Sequence, residues 1–76
     1  MRRMREYTVI LHTAEEDGYW VEVPALPGCL SQGETVDEAL DSVRDAIRSH
    51  VEALREDRQS VPADAGFLLA RVKLTA

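Results

Sequence analysis

The stretch from residue 18 to residue 40 constrains the fold most, because it holds a strand, two turns and a helix start in close succession. Its first part, Tyr19–Val23, has the aromatic and β-branched composition of a strand. Pro24 ends that strand because proline has no N–H to donate. A Pro-Gly dipeptide then predicts a turn. A short third strand, Cys29–Gln32, follows and is closed by a glycine.

The best-defined element is a helix predicted over Val36–Glu56. Thr35 is a candidate N-cap, and Glu38 three residues later completes a capping box. Pro62 bars any continuation of the helix. Apolar residues recur at i, i+3, i+4 and i+7, which places them on one face. This stripe consists of Val36, Ala39, Leu40, Val43, Ala46, Ile47, Val51 and Leu54.

The first two predicted strands form a hairpin. Tyr7–Thr13 is rich in β-branched and aromatic residues, and an Asp-Gly pair before Tyr19 is a hairpin signal. Side chains alternate across a strand. We expect Tyr19, Val21 and Val23 to face the helix, which leaves Trp20 on the opposite, open face.

A last strand is predicted over Phe67–Leu74, after a Pro- and Gly-containing loop. A strand–helix–strand crossover makes the third and last strands parallel, with a right-handed connection. The fold class is therefore α+β, with order β-β-β-α-β: a four-stranded mixed sheet with one helix on one face, in a single domain over residues 1–76. The uncovered sheet face would be an apolar patch. We expect that face or the edge of the last strand to mediate self-association into a dimer or a larger homo-oligomer.

Charge and composition narrow the classes of function. The formal net charge of −5 disfavours nonspecific nucleic-acid binding and favours a basic partner. A lone cysteine excludes a disulfide framework and fits a cytoplasmic protein. The basic start supports no signal peptide, Met4 is an alternative start to Met1, and no apolar run is long enough to span a membrane.

Few residues suggest catalysis or cofactor binding. His12 and His50 have no neighbours at metal-ligand spacing, so we expect no metal site and no cofactor. Cys29 is more typical of a buried small apolar residue than of a nucleophile. The acidic clusters are better explained by solvated turns and helix capping than by cation binding. Trp20 is either an interface anchor or ordinary sheet packing, and the sequence leaves both open.

Three motifs in fixed order carry a family resemblance. They are Gly18-Tyr-Trp-Val-Glu-Val-Pro24, Leu26-Pro-Gly-Cys29 and Gln32-Gly-Glu-Thr-Val-Asp-Glu-Ala-Leu40. Together they resemble the HicB family of bacterial antitoxins, with matching order and spacing from about residue 7 to residue 47. The resemblance implies a partial ribonuclease-H-like fold, which agrees with the order of elements above. It does not imply ribonuclease H activity, because the first strand carries no carboxylate.

The resemblance also implies a partner, a small basic HicA-type mRNA-cleaving toxin that is neutralised by protein–protein occlusion. Family members usually add a DNA-binding segment after this domain. None follows the last predicted strand, so we expect a solo domain without direct DNA binding. The expected contacts are an aromatic residue and the acidic helix start: Trp20, Glu34, Asp37, Glu38 and Asp41.

Three hypotheses remain, in this order. The first is a non-enzymatic antitoxin-like binding module. The second is an orphan homo-oligomeric regulatory or structural domain without a toxin. The third is a small enzyme that uses Cys29 or His12.

Overall fold

Three short antiparallel strands precede one long helix. The structure, a computed structural model, describes residues 5–66 and 68–75. The strands are β1 (Ile10–Thr13), β2 (Tyr19–Glu22) and β3 (Leu30–Gly33), and the helix is α1 (Val36–Glu56). The strand order is β1-β2-β3, so β2 is central. The α+β class, the order of these four elements and the predicted helix bounds are confirmed.

The β1–β2 hairpin turns at the predicted Asp-Gly pair. Asp17 and Gly18 have φ angles of 66° and 84°, the left-handed region that Gly adopts without strain. The Ala14 N–H donates to the Gly18 carbonyl at 3.1 Å, and Thr13 pairs with Tyr19 beyond it. This turn fixes which β1 residues lie opposite which β2 residues.

The Pro/Gly elbow between β2 and β3 forms two consecutive tight turns. The Leu26 N–H donates to the Val23 carbonyl, and the Cys29 N–H donates to the Leu26 carbonyl, both at 3.0 Å. The Val23 N–H in turn donates to the Cys29 carbonyl, which closes the elbow. Leu26 is thereby pointed inward and is 1% exposed.

The core lies between α1 and the sheet face that carries Val21. As predicted, Val21 and Val23 are buried there, and Tyr19 packs against the same cluster. One part of the predicted helix stripe is wrong, since Val36 is 41% exposed. It stands in the first turn of the helix, ahead of the residues that reach the sheet. The buried core residues are Val21, Val23, Leu26, Cys29, Ala39, Val43 and Val51.

The first strand is shorter than predicted and begins at Ile10 instead of Tyr7. Its expected first residues contact the segment after the helix. The Thr8 N–H donates to Asp64 Oδ1 at 2.9 Å, and the Thr8 hydroxyl donates to Asp64 Oδ2 at 2.6 Å. The Tyr7 hydroxyl donates to the Pro62 carbonyl. The Thr8 N–H, which was predicted to lie in the first strand, is thus bonded to the Asp64 carboxylate and not to a neighbouring strand.

The predicted fourth strand is not present among residues 68–75, which carry no regular secondary structure. Phe67, its predicted first residue, lies outside the described residues. The parallel pairing of the third and last strands is therefore also not observed. A strand needs an edge to pair with, and within one copy this segment leaves Leu68 and Leu69 95% and 80% exposed.

Candidate functional site

The sheet face opposite α1 is left open by the described residues and carries an aromatic centre. Trp20 lies on it, as predicted, because its neighbours in β2 point into the core. The β-pairing places His12 and Gln32 on either side of Trp20. Leu30 lies on the same face, opposite Glu22, and is 59% exposed. This open face therefore offers apolar contact area with polar groups beside it.

Three of its residues form a compact cluster. The His12 and Trp20 rings are stacked, with centroids 3.9 Å apart and planes 11° from parallel. His12 Nε2 lies 2.6 Å from Glu22 Oε2. The stack and the hydrogen bond hold the imidazole between the indole and the carboxylate. Trp20 is thus held as a rigid surface, although it is 38% exposed. Such rigid aromatic surfaces are enriched in interface hot spots.

An acidic groove adjoins Trp20 at the hairpin end of the sheet. We use this name for the shallow depression whose polar wall is formed by Asp17, Gln32, Glu34 and Glu38. Its two helix-proximal acids are brought to Trp20 by a close approach of β3 to α1. A Cβ on Gly33 would lie 2.4 Å from the Ala39 nitrogen, so only glycine fits there.

The capping contacts at the start of α1 set the orientation of the acidic groove. The Glu38 N–H donates to Thr35 Oγ1 at 3.1 Å, as the capping box predicts. The Glu38 carboxylate accepts from the Glu34 N–H at 3.0 Å, instead of from the Thr35 N–H. The Glu38 carboxylate therefore holds the residue just before the N-cap and lines the groove, where negative charge is favoured by the helix dipole.

The five predicted contact residues are only partly brought together. Trp20, Glu34 and Glu38 line the acidic groove. Asp37 and Asp41 lie on exposed positions of α1 outside that lining, and Asp41 pairs with Arg44 at 3.1 Å. Asp17, Gln32 and the stacking of His12 on Trp20 were not predicted from the sequence. The hairpin pairs Thr13 with Tyr19, so five residues lie in the turn. Symmetric pairing about the Asp-Gly dipeptide would instead have put Glu15 opposite Trp20.

Cys29 lies in the core and is 4% exposed. Burial raises the pKa of its thiol, which disfavours the thiolate needed for nucleophilic attack. His12, the other residue of the enzyme hypothesis, is engaged with Trp20 and Glu22. These placements favour a packing role for Cys29 and an orienting role for His12.

Among residues 5–66 and 68–75, three or more metal-binding side chains nowhere come together as a ligand set. Within the same residues, α1 and its surroundings provide no helix with the length and apolarity to cross a membrane.

Comparisons with known proteins agree with the geometry. Residues 7–72 match the family described as HicB-like antitoxin of bacterial toxin-antitoxin system. The UPF0150 protein Ta0767 of Thermoplasma acidophilum is 50% identical over 60 residues, which are 78% of this chain and 86% of that protein.

Two crystal structures from Burkholderia pseudomallei have the same fold. Antitoxin HicB superposes with a TM-score of 0.68 at 41% identity, over 76% of this chain and 44% of that one. The N-terminal domain of antitoxin HicB superposes with a TM-score of 0.64 at 36% identity, over 83% and 69%. The chain thus spans less than half of the length of antitoxin HicB in the first of these two structures.

Proposed function

The chain belongs to the HicB-like antitoxin family, and we propose that it neutralises a small basic toxin of the HicA type by covering the surface with which that toxin cleaves mRNA. The single observation that supports this most directly is the acidic groove beside the exposed face of Trp20. It combines negative charge and a rigid aromatic on one surface, which is the chemistry that a basic protein partner requires.

The charge of the chain suits a basic partner. The chain carries a formal net charge of −5, and the groove concentrates carboxylates at one end of the sheet. Complementary charge accelerates encounter with a basic protein and orients it. Asp37 and Asp41 lie outside the groove but on the same helix start, so in this proposal they form its rim and act mainly on the rate of encounter.

Trp20 supplies an aromatic anchor for the same partner. An aromatic anchor at the centre of an interface contributes more binding energy than the polar residues around it. Trp20 is held by His12 on one side, so little conformational freedom is lost when a partner covers it. In this proposal Trp20 fixes the docked position, and the acids of the groove select a basic partner.

The same proposal covers the activity, the location and the complete fold of the chain. The chain acts without enzymatic activity or a cofactor, as a single binding domain in the cytoplasm, and does not bind nucleic acid directly. Its complete fold has a fourth strand supplied by residues 67–74, in a four-stranded mixed, partial ribonuclease-H-like sheet. The alternating apolar pattern of that segment supports this, because it leaves a row of exposed apolar side chains that strand pairing would cover.

A second candidate function has its own supporting observation. The chain could serve as an orphan regulatory or structural domain that assembles only with itself. The exposed apolar residues after the helix favour self-association. This alternative predicts that the purified protein carries no basic partner.

The experiment begins with the tagged chain isolated from its native host, and with identification of any small basic protein that stays bound. That protein is then titrated against two variants of equal charge. The groove variant changes two acids of the groove, Glu34 and Glu38, and two of its rim, Asp37 and Asp41, to their amides. The control variant does the same to four acids further along or just after α1, namely Asp45, Glu52, Glu56 and Asp57. The formal net charge of both variants is −1 instead of −5, so their long-range attraction for a basic protein is the same.

We expect the groove variant to bind about tenfold or more weakly than the control variant, as for charge pairs in an interface. Gln still fits the capping position of Glu38, so the helix start is retained. Equal affinities of the two variants would refute the assignment of the toxin surface. Absence of any bound basic protein would favour the orphan domain.

A further inference from the structure

Residues 68–75 form an arm that the other described residues of the chain do not cover. We call residues 68–75 the C-terminal arm. Its Leu68, Leu69, Val72 and Leu74 are between 78% and 95% exposed. The radius of gyration is 14.8 Å, whereas a compact domain of this length has about 11 Å. An arm this apolar and this exposed requires a partner surface.

The arm has the sequence pattern of a strand with one apolar side. Alternate positions from residue 68 read Leu, Ala, Val and Leu, and those from residue 69 read Leu, Arg, Lys and Thr. A period of two is the pattern of a strand that buries one face. The arm thus has the pattern of a strand that pairs with a sheet edge, although none of residues 68–75 lies in a strand within the single copy.

The nearest unpaired edge belongs to β1. Within the described residues β1 pairs only with β2, so its outer edge is free. The two hydrogen bonds between Thr8 and Asp64 fix the root of the arm at the start of that edge. A shallow groove opens between Thr8–Leu11 and the first arm residues, and Leu68 and Leu69 line it without filling it.

We propose that the C-terminal arm is a strand exchanged between two copies of this chain. Each copy adds its arm to the β1 edge of the other, in the groove that its own arm leaves open. The contact is the same in both directions, so it closes as a two-fold dimer and does not propagate. This inference rests on the fourth strand proposed above and is independent of any toxin.

The size of the exchanged contact reaches the threshold for a specific interface. An arm of eight residues in strand conformation is about 26 Å long and covers a band about 10 Å wide. Two arms, each burying its own surface and an equal area of the edge it covers, remove about 1,000 Å² in total from water, the lower limit for a specific interface.

Charge supports a second copy as the occupant. Arg71 and Lys73 give the arm two positive charges and no negative one. The whole chain carries −5, so the remainder carries −7. A basic arm on an acidic body is self-complementary between copies, which favours this pairing over a basic partner in the same groove.

The first test is the mass of the purified full chain in solution, compared across two matched variants. Val72→Asp places a charge on the arm, and Leu30→Asp places one on the open face. Both side chains are exposed in the single copy, at 84% and 59%, so neither change should unfold it. We expect a dimer for the wild type and Leu30→Asp, and a dimer dissociation constant about tenfold or more higher for Val72→Asp.

The second test asks which copy receives the arm. Lys73 is the sole lysine of the chain, so carbodiimide links from its side chain to carboxylates report the position of the arm. Light and heavy-isotope chains are mixed, unfolded, refolded together and cross-linked. Exchange predicts light–heavy links between Lys73 and acids that flank β1, namely Glu6, Glu15 or Glu16, and protection of the arm amides from hydrogen exchange.

Three results would overturn the inference, and each has a distinct meaning. Links only within one chain, with protected arm amides, would place the fourth strand on its own β1 edge. A monomer with unprotected arm amides would remove the fourth strand as well. A dimer lost on Leu30→Asp but kept on Val72→Asp would move the interface to the open face. No toxin takes part in these measurements, so they leave the antitoxin proposal untouched.

Discussion

Replacing Gly33 with alanine tests the contact that brings the helix start to the acidic groove. The added Cβ would lie 2.4 Å from the Ala39 nitrogen, where van der Waals contact needs about 3.4 Å or more. The obstructing atom is helix backbone, so the start of α1 must move by about 1 Å. Overpacking of this kind costs about 1–3 kcal/mol, and we expect 2–3 kcal/mol because no flexible side chain can yield.

Two other glycines provide controls for Gly33→Ala. Gly66→Ala meets open space and should be neutral or slightly stabilising. Gly28→Ala also meets open space, but Gly28 has a φ of 86°, so this change should cost about 1–2 kcal/mol of strain without a clash. The three variants separate the cost of crowding from that of backbone conformation.

The assay is urea unfolding followed by far-UV circular dichroism and by the fluorescence of Trp20, the only tryptophan. All variants are compared at one protein concentration, because self-association would add to the apparent stability. For a chain of this size the expected loss for Gly33→Ala lowers Tm by roughly 10–20 °C. A free energy of unfolding within about 0.5 kcal/mol of Gly66→Ala would refute the close packing of β3 on α1.

Three further predictions concern single contacts. Thr35→Ala should cost about 1 kcal/mol of unfolding free energy in the same assay, and Thr35→Ser should restore it, since the hydroxyl caps the Glu38 N–H. Hydrogen bonds from the Thr8 hydroxyl and backbone N–H lower the pKa of Asp64 from its ordinary 3.8. The ionised carboxylate therefore stabilises the fold above that pH. In urea titrations the wild type should have a higher free energy of unfolding than Asp64→Ala, and this difference should shrink as the pH falls below 3.8. A difference that does not change with pH would refute the contact. Cys29 should react with a thiol reagent roughly a hundredfold more slowly in the folded chain than in urea, because it is buried and its pKa is raised; equal rates would show that the core is open.

Local sequence signals predicted the helix and the turns well. The capping box and the apolar spacing placed both ends of α1, because each depends on residues within a few positions of one another. The Asp-Gly pair likewise located the hairpin turn, although not its register, and strand alternation placed Trp20 on the open face. These elements are decided by short-range interactions that can be read from one sequence.

Long-range contacts account for what the sequence did not predict. β1 begins late because Thr8 bonds to Asp64, which is 56 residues away. Glu34 and Glu38 reach Trp20 only because β3 approaches α1 at Gly33, and spacing alone does not distinguish them from Asp37 and Asp41. The last strand was predicted from its alternating pattern, but a pattern does not say which edge, or which copy of the chain, supplies the hydrogen-bonding partner.

The most direct test of the proposed function is RNA cleavage by the basic protein recovered with this chain. Its ribonuclease activity is measured with increasing amounts of the wild type, the groove variant and the charge-matched control. We expect the wild type and the control to abolish cleavage near equal molar amounts, and the groove variant to need about tenfold more. Undiminished cleavage in the presence of excess wild-type chain would contradict an antitoxin that acts by occluding its toxin.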